Sequence, residues 1–205
     1  MYKNLMNEPP MIRFNRRRAL QTLLAASAMP AALALRAQST PDVAALLRAG
    51  GCVLMLRHAQ TVAGVGDPPN FQLDQCSTQR NLSDEGREQS IRIGQWFAAR
   101  KLAVGSVQSS AWCRCKDTAT LAFGRFELLS ALNSTFDNRS SQTAQTEVLR
   151  DRLKGLRAGQ FEVWVTHQVN ITAMTGEVPA MGEAFVVKLG AGSLPGRVLA
   201  RTNFA

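Results

Sequence analysis

Several features are scarce in this chain of 205 residues, and each scarcity narrows the classes of protein to which it can belong. It has only two histidines, His58 and His167, and no internal repeat or low-complexity tract, so repeat architectures are excluded. Its longest run of apolar and small residues has roughly 15 members and contains Pro30, whereas a membrane-spanning helix needs about 20. The 45% hydrophobic content is typical of a globular protein with a single substantial core.

Acidic residues are also in the minority, with 15 against 24 basic residues and a formal net charge of +9. Six of the basic residues and only one of the acidic ones fall within residues 1–37. The remaining chain is mildly basic and has no evident basic run, which is weak support for nucleic-acid binding. We therefore expect no nucleic-acid partner.

Residues 1–37 have the pattern of an export signal. Consecutive arginines, Arg16 to Arg18, precede the apolar stretch ALQTLLAASAMPAALAL, and small residues near its end offer cleavage points. The arginine cluster resembles a twin-arginine signal, although an ordinary secretory signal shares most of these features. We expect this segment to be removed by the export machinery, leaving residues 38–205 as a periplasmic domain without stable membrane insertion. An uncleaved N-terminal anchor is the alternative.

The four cysteines acquire a specific meaning in an oxidising compartment, where they can pair. Cys52 lies in an apolar run and is expected to be a small core residue. Cys76 is predicted to pair with Cys113 or Cys115, which would add about 2–4 kcal/mol of stability. Zinc binding is disfavoured, because the CRC stretch lacks the usual two-residue spacer and neither histidine is near in sequence. We expect no metal and no cofactor.

Two uninterrupted apolar runs, CVLML and FEVWVT, predict strands that are buried on both faces, as in a parallel sheet covered by helices. Strand and helix patterns alternate along the chain. The predicted fold is therefore α/β, in three layers (α/β/α), with a mainly parallel central sheet and an antiparallel C-terminal edge hairpin. Helices are predicted near 40–50, 82–100, 113–123 and 141–158, the last ending at Gly159, with a short helix after residue 167. The second of these has Ser83 as its N-cap, two acidic residues in its first turn, and Ile93 and Phe97 one turn apart on its apolar face. A long loop is predicted over 62–80, and the segment 125–134 is interpreted as a strand or an extended segment.

Cationic and imidazole side chains are placed where these strands end. Arg57 and His58 follow one strand, His167 follows another, and Arg114 lies near the start of a helix after a third. Ligands bind beyond the carboxyl ends of strands in open α/β sheets, so these four residues are expected to converge there. The guanidinium groups suit phosphate oxygens. We expect no acidic partner clustered beside them, so the ligand is the expected counter-ion, and the cations should oppose protonation of His58.

Four ordered motifs resemble the histidine phosphatase superfamily, which includes phosphoglycerate mutases, acid phosphatases and phosphohistidine phosphatases. LMLRHAQT is similar to its arginine-histidine signature, RNLSDEGREQS to its R-x-L-[ST]-x-x-G-x-x-Q-[SA] helix, SSAWCRCKDTA to its S-S-x-x-x-R-x-x-x-T-A segment, and VWVTHQ to its second histidine. The matches cover roughly residues 50 to 175.

The resemblance implies a mechanism residue by residue. His58 would be the nucleophile that becomes a phosphohistidine, while Arg57, Arg114 and His167 would hold the transferring oxygens. The resemblance implies a phosphatase that needs no metal and hydrolyses a phosphomonoester or phosphoramidate. Thr61 is interpreted either as a residue that orients the pocket or as a plain loop hydroxyl.

The sequence departs from the family pattern at several positions. Ala59 replaces a usual glycine, which is acceptable if the backbone angle there suits alanine. Ser134 lies where many members have the glutamate that protonates the leaving group, and Asp137 or Glu127 are the candidate substitutes. Gln168 follows the second histidine, where another branch has aspartate. These departures support an alternative interpretation, a catalytically weak or inactive phosphate-binding pseudoenzyme.

The expected ligand is a small phosphorylated substrate, such as a phosphorylated sugar. The loop 62–80 and the segment 125–140 are predicted to shape its choice. The three tryptophans are interpreted as core residues, because they are widely spaced among apolar neighbours. They are Trp96, Trp112 and Trp164.

Overall fold

The strands predicted from uninterrupted apolar runs lie at the centre of the sheet in the computed structural model, which describes residues 42–64, 66–190 and 195–204. The helices are α1 (Val43–Ala49), α2 (Asp84–Ala99), α3 (Cys113–Phe123), α4 (Gln142–Lys154) and α5 (Gln168–Thr175). The strands are β1 (Cys52–Arg57), β2 (Ser106–Ser109), β3 (Glu127–Leu128), β4 (Phe161–Thr166), β5 (Ala184–Leu189) and β6 (Gly196–Thr202).

The sheet has the order β3-β2-β4-β1-β5-β6 over the described residues. The pairs β1–β4, β2–β4 and β2–β3 are parallel, and β5 joins β1 in antiparallel orientation. The pair β5–β6 is an antiparallel hairpin at the edge. The predicted α/β fold with a mainly parallel sheet and an antiparallel edge hairpin is therefore confirmed. The consequence for function is that the carboxyl ends of β1, β2 and β4 meet at one edge.

Alternation along β1 divides the core into two halves, one on each face of the sheet. Leu54 and Leu56 face one cluster, and Val53 and Met55 face the other. All four are fully buried, which is why this strand is apolar at every position. The first cluster includes Leu47 of α1, Ile93 and Phe97 of α2 and Ala119 of α3, and the second includes Leu149 and Leu153 of α4 and Ile171 and Met174 of α5.

The start of α2 agrees with its sequence signals. Ser83 is the N-cap, and its hydroxyl accepts a hydrogen bond from the amide of Gly86 at 3.2 Å. Asp84 and Glu85 lie in the first turn, where acidic groups interact favourably with the helix dipole. Ile93 and Phe97 are buried one turn apart, as predicted. This helix covers the loop that follows β1.

The predicted end of α4 is wrong. The helix stops at Lys154 with Gly155 as its C-cap, instead of continuing to Gly159. Residues 157–160 instead pair with the turn between α1 and β1: the amide of Gly51 donates to the carbonyls of Arg157 and Gln160, both at 2.8 Å. Gly50 approaches this segment so closely that a β-carbon there would lie 2.3 Å from the Gln160 nitrogen. These long-range bonds replace the helix's last turn.

Other predicted boundaries differ in detail. The segment 125–134, for which the sequence allows a strand or an extended segment, contains both the two-residue β3 and a short 3-10 turn at Ser130–Leu132. The export-signal prediction for 1–37 lies outside the described residues, as do Pro41 and most of the hairpin connection, 191–194. Within the described ranges, no helix combines the length and apolar character required to cross a membrane.

Candidate active site

The two histidines lie side by side at the ends of adjacent strands. Arg57 pairs with Thr166 in the parallel register of β1 and β4, so the residues that follow, His58 and His167, leave the sheet together. The His58 amide donates to the Thr166 carbonyl at 3.0 Å. The ring centroids are 5.5 Å apart, and both residues are buried, with 2% and 4% exposure. The structure thus brings together the two imidazoles that the strand-end argument placed at one edge.

The hydrogen bonding of His58 determines which nitrogen is available. Its Nδ1 lies 2.9 Å from the Ala59 carbonyl oxygen, which can only accept, so Nδ1 carries the hydrogen. In the neutral ring, Nε2 then has a lone pair. Burial, followed by the charge of Arg114, lowers the pKa of His58 to about 3. His58 is therefore a neutral imidazole with an unprotonated Nε2 at neutral pH.

The backbone after His58 is held by the first half of α2. The Gln60 carbonyl accepts from the Ser83 amide at 3.1 Å, and the Gln60 amide donates to Oε1 of Gln89 at 3.0 Å. A β-carbon at Gly86 would lie 1.9 Å from the Gln60 oxygen, so only glycine permits this approach. The motif LSDEGREQS is thereby explained as a clamp on the loop that carries His58.

A second contact to this loop comes from α3. Thr118 accepts a hydrogen bond from the Ala59 amide at 3.1 Å and donates to the Arg114 carbonyl at 2.7 Å. Thr118 is fully buried, and it links the backbone next to His58 with the helix turn that carries Arg114. Ala59 is not among the described residues with positive φ, so alanine fits where the family has glycine.

Two of the predicted cations flank the histidines. Arg57 ends β1, and its Nη1 donates to the Pro179 carbonyl at 2.8 Å. Arg114, the second residue of α3, is only 3% exposed, and its Nη2 lies 3.5 Å from Nδ1 of His167. The Nε atoms of Arg57 and Arg114 are buried, and neither has a hydrogen-bond partner within the described part of the chain. Such unsatisfied donors favour an anionic ligand.

A third arginine, Arg80, was not assigned a role from the sequence. It lines the same cleft. The pKa of Arg57 is lowered mainly by burial and, as the second cause, by the charge of Arg80. Burial also lowers the pKa of Arg80 itself, followed by the charge of Arg114. The available signal was its place at the head of the motif RNLSDEGREQS, just before α2. Three guanidinium groups therefore surround the imidazoles.

His167 is held differently from His58. A guanidinium nitrogen can only donate, so Nδ1 of His167 accepts from Arg114 and Nε2 carries the hydrogen. Nε2 then donates to the Ser110 hydroxyl at 2.8 Å, and that hydroxyl donates to Oδ1 of Asn133 at 3.2 Å. Burial is the main cause that lowers the pKa of His167 well below its usual value, followed by interaction with His58.

Two further side chains pack against His167. The Trp112 ring lies 5.2 Å from the imidazole centroid in an edge contact, so this core tryptophan also borders the site. The Cys115 sulfur is 3.5 Å from Nε2 of His167, and burial raises the pKa of this thiol to about 12. The thiol is therefore protonated and unreactive at neutral pH. Trp164 is fully buried in the core as expected, whereas Trp96 is only partly buried and packs against the core from outside.

The expectation that the arginines have no acidic neighbour is wrong. Oδ1 of Asp67 accepts from Nη1 of Arg114 at 2.8 Å and from the Arg80 amide at 3.0 Å. The Asp67 side chain is 21% exposed and that of Arg114 only 4%. Asp67 lies 47 residues before Arg114, in the long loop after β1, so sequence proximity gave no signal of this pair.

The loop is attached to α3 by a disulfide. Cys76 pairs with Cys113, the first of the two partners that the sequence allowed, while Cys52 and Cys115 are free and buried. The Cys113 amide also donates to Oε1 of Gln79 at 2.9 Å. Both links hold the loop beside the residue that precedes Arg114. Among the described residues, no group of three histidine, cysteine or acidic side chains is arranged to hold a metal.

The two histidines, the three arginines around them and Asp67 line a cleft of about 560 Å³. Ser134 and Asp137 lie in its wall, but Glu127 does not, because it accepts from Nε2 of Gln108 at the β2–β3 edge. Thr61 also lies outside the lining, and its hydroxyl contacts the Met181 sulfur. An adjoining groove of about 300 Å³ shares part of this wall. The shared residues are Phe136, Arg139, Gln168 and Val169.

The arrangement can bind a tetrahedral anion and present a nucleophile to it. Three guanidinium groups supply planar donors, and the buried setting strengthens their interaction with negative charge. His58 offers an unprotonated nitrogen within the same cleft. These are the requirements of phosphoryl transfer to an imidazole.

Comparison with known proteins yields matches only among solved structures: no family model matches, and no curated protein matches. Rv3214 from Mycobacterium tuberculosis is 15% identical with a TM-score of 0.51, over 72% of this chain and 98% of that one. A putative alpha-ribazole-5'-P phosphatase from Escherichia coli K-12 is 14% identical with a TM-score of 0.50, over 73% and 95%. A putative phosphohistidine phosphatase SixA from Agrobacterium tumefaciens is 20% identical, over 74% and 97%, with a TM-score of 0.45. The described residues therefore share the α/β fold of the Rv3214 structure and of the putative alpha-ribazole-5'-P phosphatase structure.

Proposed function

We propose that this chain is a metal-independent phosphatase that hydrolyses a phosphomonoester or phosphoramidate through a phosphohistidine on His58. The observation that carries the proposal is the hydrogen bond from Nδ1 of His58 to the Ala59 carbonyl. It leaves Nε2 unprotonated in a cleft lined by four arginines. A neutral imidazole nitrogen is a competent nucleophile, and the cations attract the phosphoryl group that it would attack.

In the proposed reaction, the Nε2 lone pair forms a bond to phosphorus while the bond to the leaving oxygen or nitrogen breaks. Arg57 and Arg114 hold the transferring oxygens and stabilise their charge in the transition state, and His167 orients Arg114 through its Nδ1. The leaving atom takes up a proton, and the water that attacks in the next step gives one back. Water then attacks phosphorus, the bond to Nε2 breaks, and phosphate and neutral His58 are restored.

The substrate is a small phosphorylated compound, such as a phosphorylated sugar. A cleft of about 560 Å³ lies within the range for small-molecule sites. The adjoining groove gives the leaving group a path past Phe136 and Arg139, two exposed residues of the 125–140 segment. This placement supports the expectation that the segment contributes to substrate choice.

The domain 38–205 is proposed to act in the periplasm after the export machinery removes residues 1–37. The Cys76–Cys113 disulfide supports this location, because disulfides persist in oxidising compartments and are rare in the cytosol. Nucleic acid is not expected as a partner.

Trapping of the phosphoenzyme tests the proposal. The full chain is mixed with radiolabelled acetyl phosphate and with a panel of sugar phosphates, quenched, and examined for an acid-labile, base-stable protein phosphate. We expect labelling in the wild type and in Arg92→Ala, a variant of an exposed arginine on α2. We expect none in His58→Ala.

The alternative is a phosphate-binding protein without turnover, and Ser134 favours it, since this hydroxyl lies in the cleft wall where the family has a glutamate. Phosphate binding without labelling or turnover on any compound would identify the chain as that binding module and would refute the proposed hydrolysis.

A further inference from the structure

We propose that Asp67 is the general acid of this site, giving a proton to the leaving group and taking one from the attacking water. This inference rests on the proposed function. It concerns a residue that the resemblance does not supply, on a loop that precedes α2.

The position of Asp67 follows from two hydrogen bonds. Its Oδ1 accepts from Nη1 of Arg114 at 2.8 Å and from the Arg80 amide at 3.0 Å, and it lines the cleft that contains His58. The other terminal nitrogen of Arg114, Nη2, is 3.5 Å from His167. A phosphoryl group held by Arg114 is therefore a neighbour of the Asp67 carboxyl.

The substrate can bring the proton that Asp67 passes to the leaving group. A phosphomonoester loses its second proton near pH 6, so a substrate monoanion carries one proton into the cleft. Arg114 binds the Asp67 carboxyl, and Arg57, Arg80 and Arg139 line the same cleft, so the phosphoryl group and the carboxyl lie beside each other among these cations.

The proton balance closes over the two half-reactions. In the first, Nε2 of His58 attacks phosphorus, the bond to the leaving oxygen breaks, and the Asp67 carboxyl protonates that oxygen. In the second, water attacks phosphorus, its proton passes to the Asp67 carboxylate, and the bond to His58 breaks. Product release restores the starting protonation, with one water consumed.

The other carboxylates fit this role less well. Glu127 is bonded to Gln108 outside the cleft. Asp137 lies in the cleft wall but is exposed, whereas Asp67 is mostly shielded and is held in place by two donors. A carboxyl that is fixed beside the phosphoryl site is better placed to deliver a proton than one that moves in solvent.

The test compares leaving groups in Asp67→Asn. Asparagine keeps an oxygen that accepts from Arg114 and Arg80 but cannot act as an acid. We expect turnover of an alkyl phosphate, glycerol phosphate, to fall roughly 100-fold or more. Nitrophenyl phosphate, whose leaving group needs little protonation, should lose far less, and inorganic phosphate should bind at least as tightly as it does to the wild type. Asp67→Glu should recover part of the alkyl phosphate activity.

Matched variants and substrates make the result decisive. Asp74→Asn changes an exposed carboxylate of the same loop that does not line the cleft, and it should behave as the wild type. Equal losses on both phosphate esters in Asp67→Asn, or a leaving-group effect in Asp137→Asn instead, would overturn the inference. A wild type that turns over neither ester nor any compound of the labelling panel refutes the proposed function itself, whereas a wild type that turns over both esters with an unaffected Asp67→Asn refutes only the role of Asp67.

Discussion

His58 and His167 occupy equivalent positions at the ends of adjacent parallel strands, yet the chain holds them in opposite ways. The Nδ1–H of His58 is bonded to the backbone carbonyl of its own neighbour, Ala59. His167 uses both ring nitrogens, one towards Arg114 and one towards Ser110. The comparison teaches that strand register sets where an imidazole lies, while its neighbours determine whether a nitrogen remains for covalent chemistry.

The largest expected difference between the two histidines is in phosphoenzyme formation. His58→Ala should reduce turnover by roughly 10⁴-fold or more and abolish labelling, because it removes the nucleophile. His167→Ala should slow turnover by roughly 10² to 10³-fold, since Arg114 loses the contact that orients it towards the oxygens, but labelling on His58 should persist. Rapid-quench labelling measures both effects. A labelled His58→Ala protein would show that His58 is not the nucleophile.

The disulfide is expected to affect the His167 side of the site more than the His58 side. Cys113 precedes Arg114, whereas the His58 loop is clamped by α2. Reduction should lower the free energy of unfolding by about 2–4 kcal/mol and should weaken phosphate binding.

Urea unfolding with and without a thiol reductant measures the disulfide effect. A double variant, Cys76→Ser with Cys113→Ser, provides the control, because reductant should not change it. If reductant shifts the double variant as much as the wild type, the stabilisation does not come from this bond.

Both histidines should make stability depend on pH. In the unfolded chain they ionise near 6.5, whereas in the folded protein the pKa of His58 is lowered to about 3, mainly by burial. As pH falls from about 6.5 towards 3, the unfolded state takes up protons that the folded state does not. The free energy of unfolding should therefore fall, by at most about 1.4 kcal/mol per pH unit for each histidine.

The pH effect is checked by urea unfolding of the wild type and His58→Asn at several pH values between 7 and 5. The variant should have a shallower dependence, since one of the two titrating groups is absent. An identical slope in both proteins would mean that His58 does not remain neutral in the folded state.

The smallest effect is expected from Ser110→Ala. This change removes the acceptor of the His167 Nε2 hydrogen, so the ring is less firmly oriented, and stability should fall by about 1 kcal/mol. Turnover should fall several-fold while labelling of His58 remains. Ser106→Ala, on β2, the strand just before Ser110, but bonded to Gln108, is the control and should leave turnover unchanged.

The prediction of the fold succeeded where burial leaves a pattern in the sequence. Uninterrupted apolar runs predicted β1 and β4, and the serine cap and acidic first turn predicted α2. The end of α4 was missed because residues 157–160 are taken up by hydrogen bonds to the distant α1–β1 turn. The helical pattern of residues 141–158 contains no information about hydrogen bonds that these residues make to a distant turn.

The candidate site was predicted in part for the same reason. The predicted strand ends were sufficient to identify Arg57, His58 and His167. The motif that contains Arg114 was sufficient to identify that residue. Thr118 could have been found in the same motif, since threonine four residues after arginine lies on the same helix face. Asp67 could not, because it belongs to a long irregular loop in which no periodicity constrains the direction of a side chain.

The sequence by itself determined the strands, the helices and therefore the edge of the sheet at which two histidines and two arginines meet, because burial and capping impose local patterns. Only the tertiary structure decided which ring nitrogen carries the proton in each imidazole, and that the Asp67 carboxylate lies against Arg114. The physical reason is that hydrogen bonds and ion pairs depend on distances of a few ångströms between residues far apart in the chain, such as the 47 positions that separate Asp67 from Arg114.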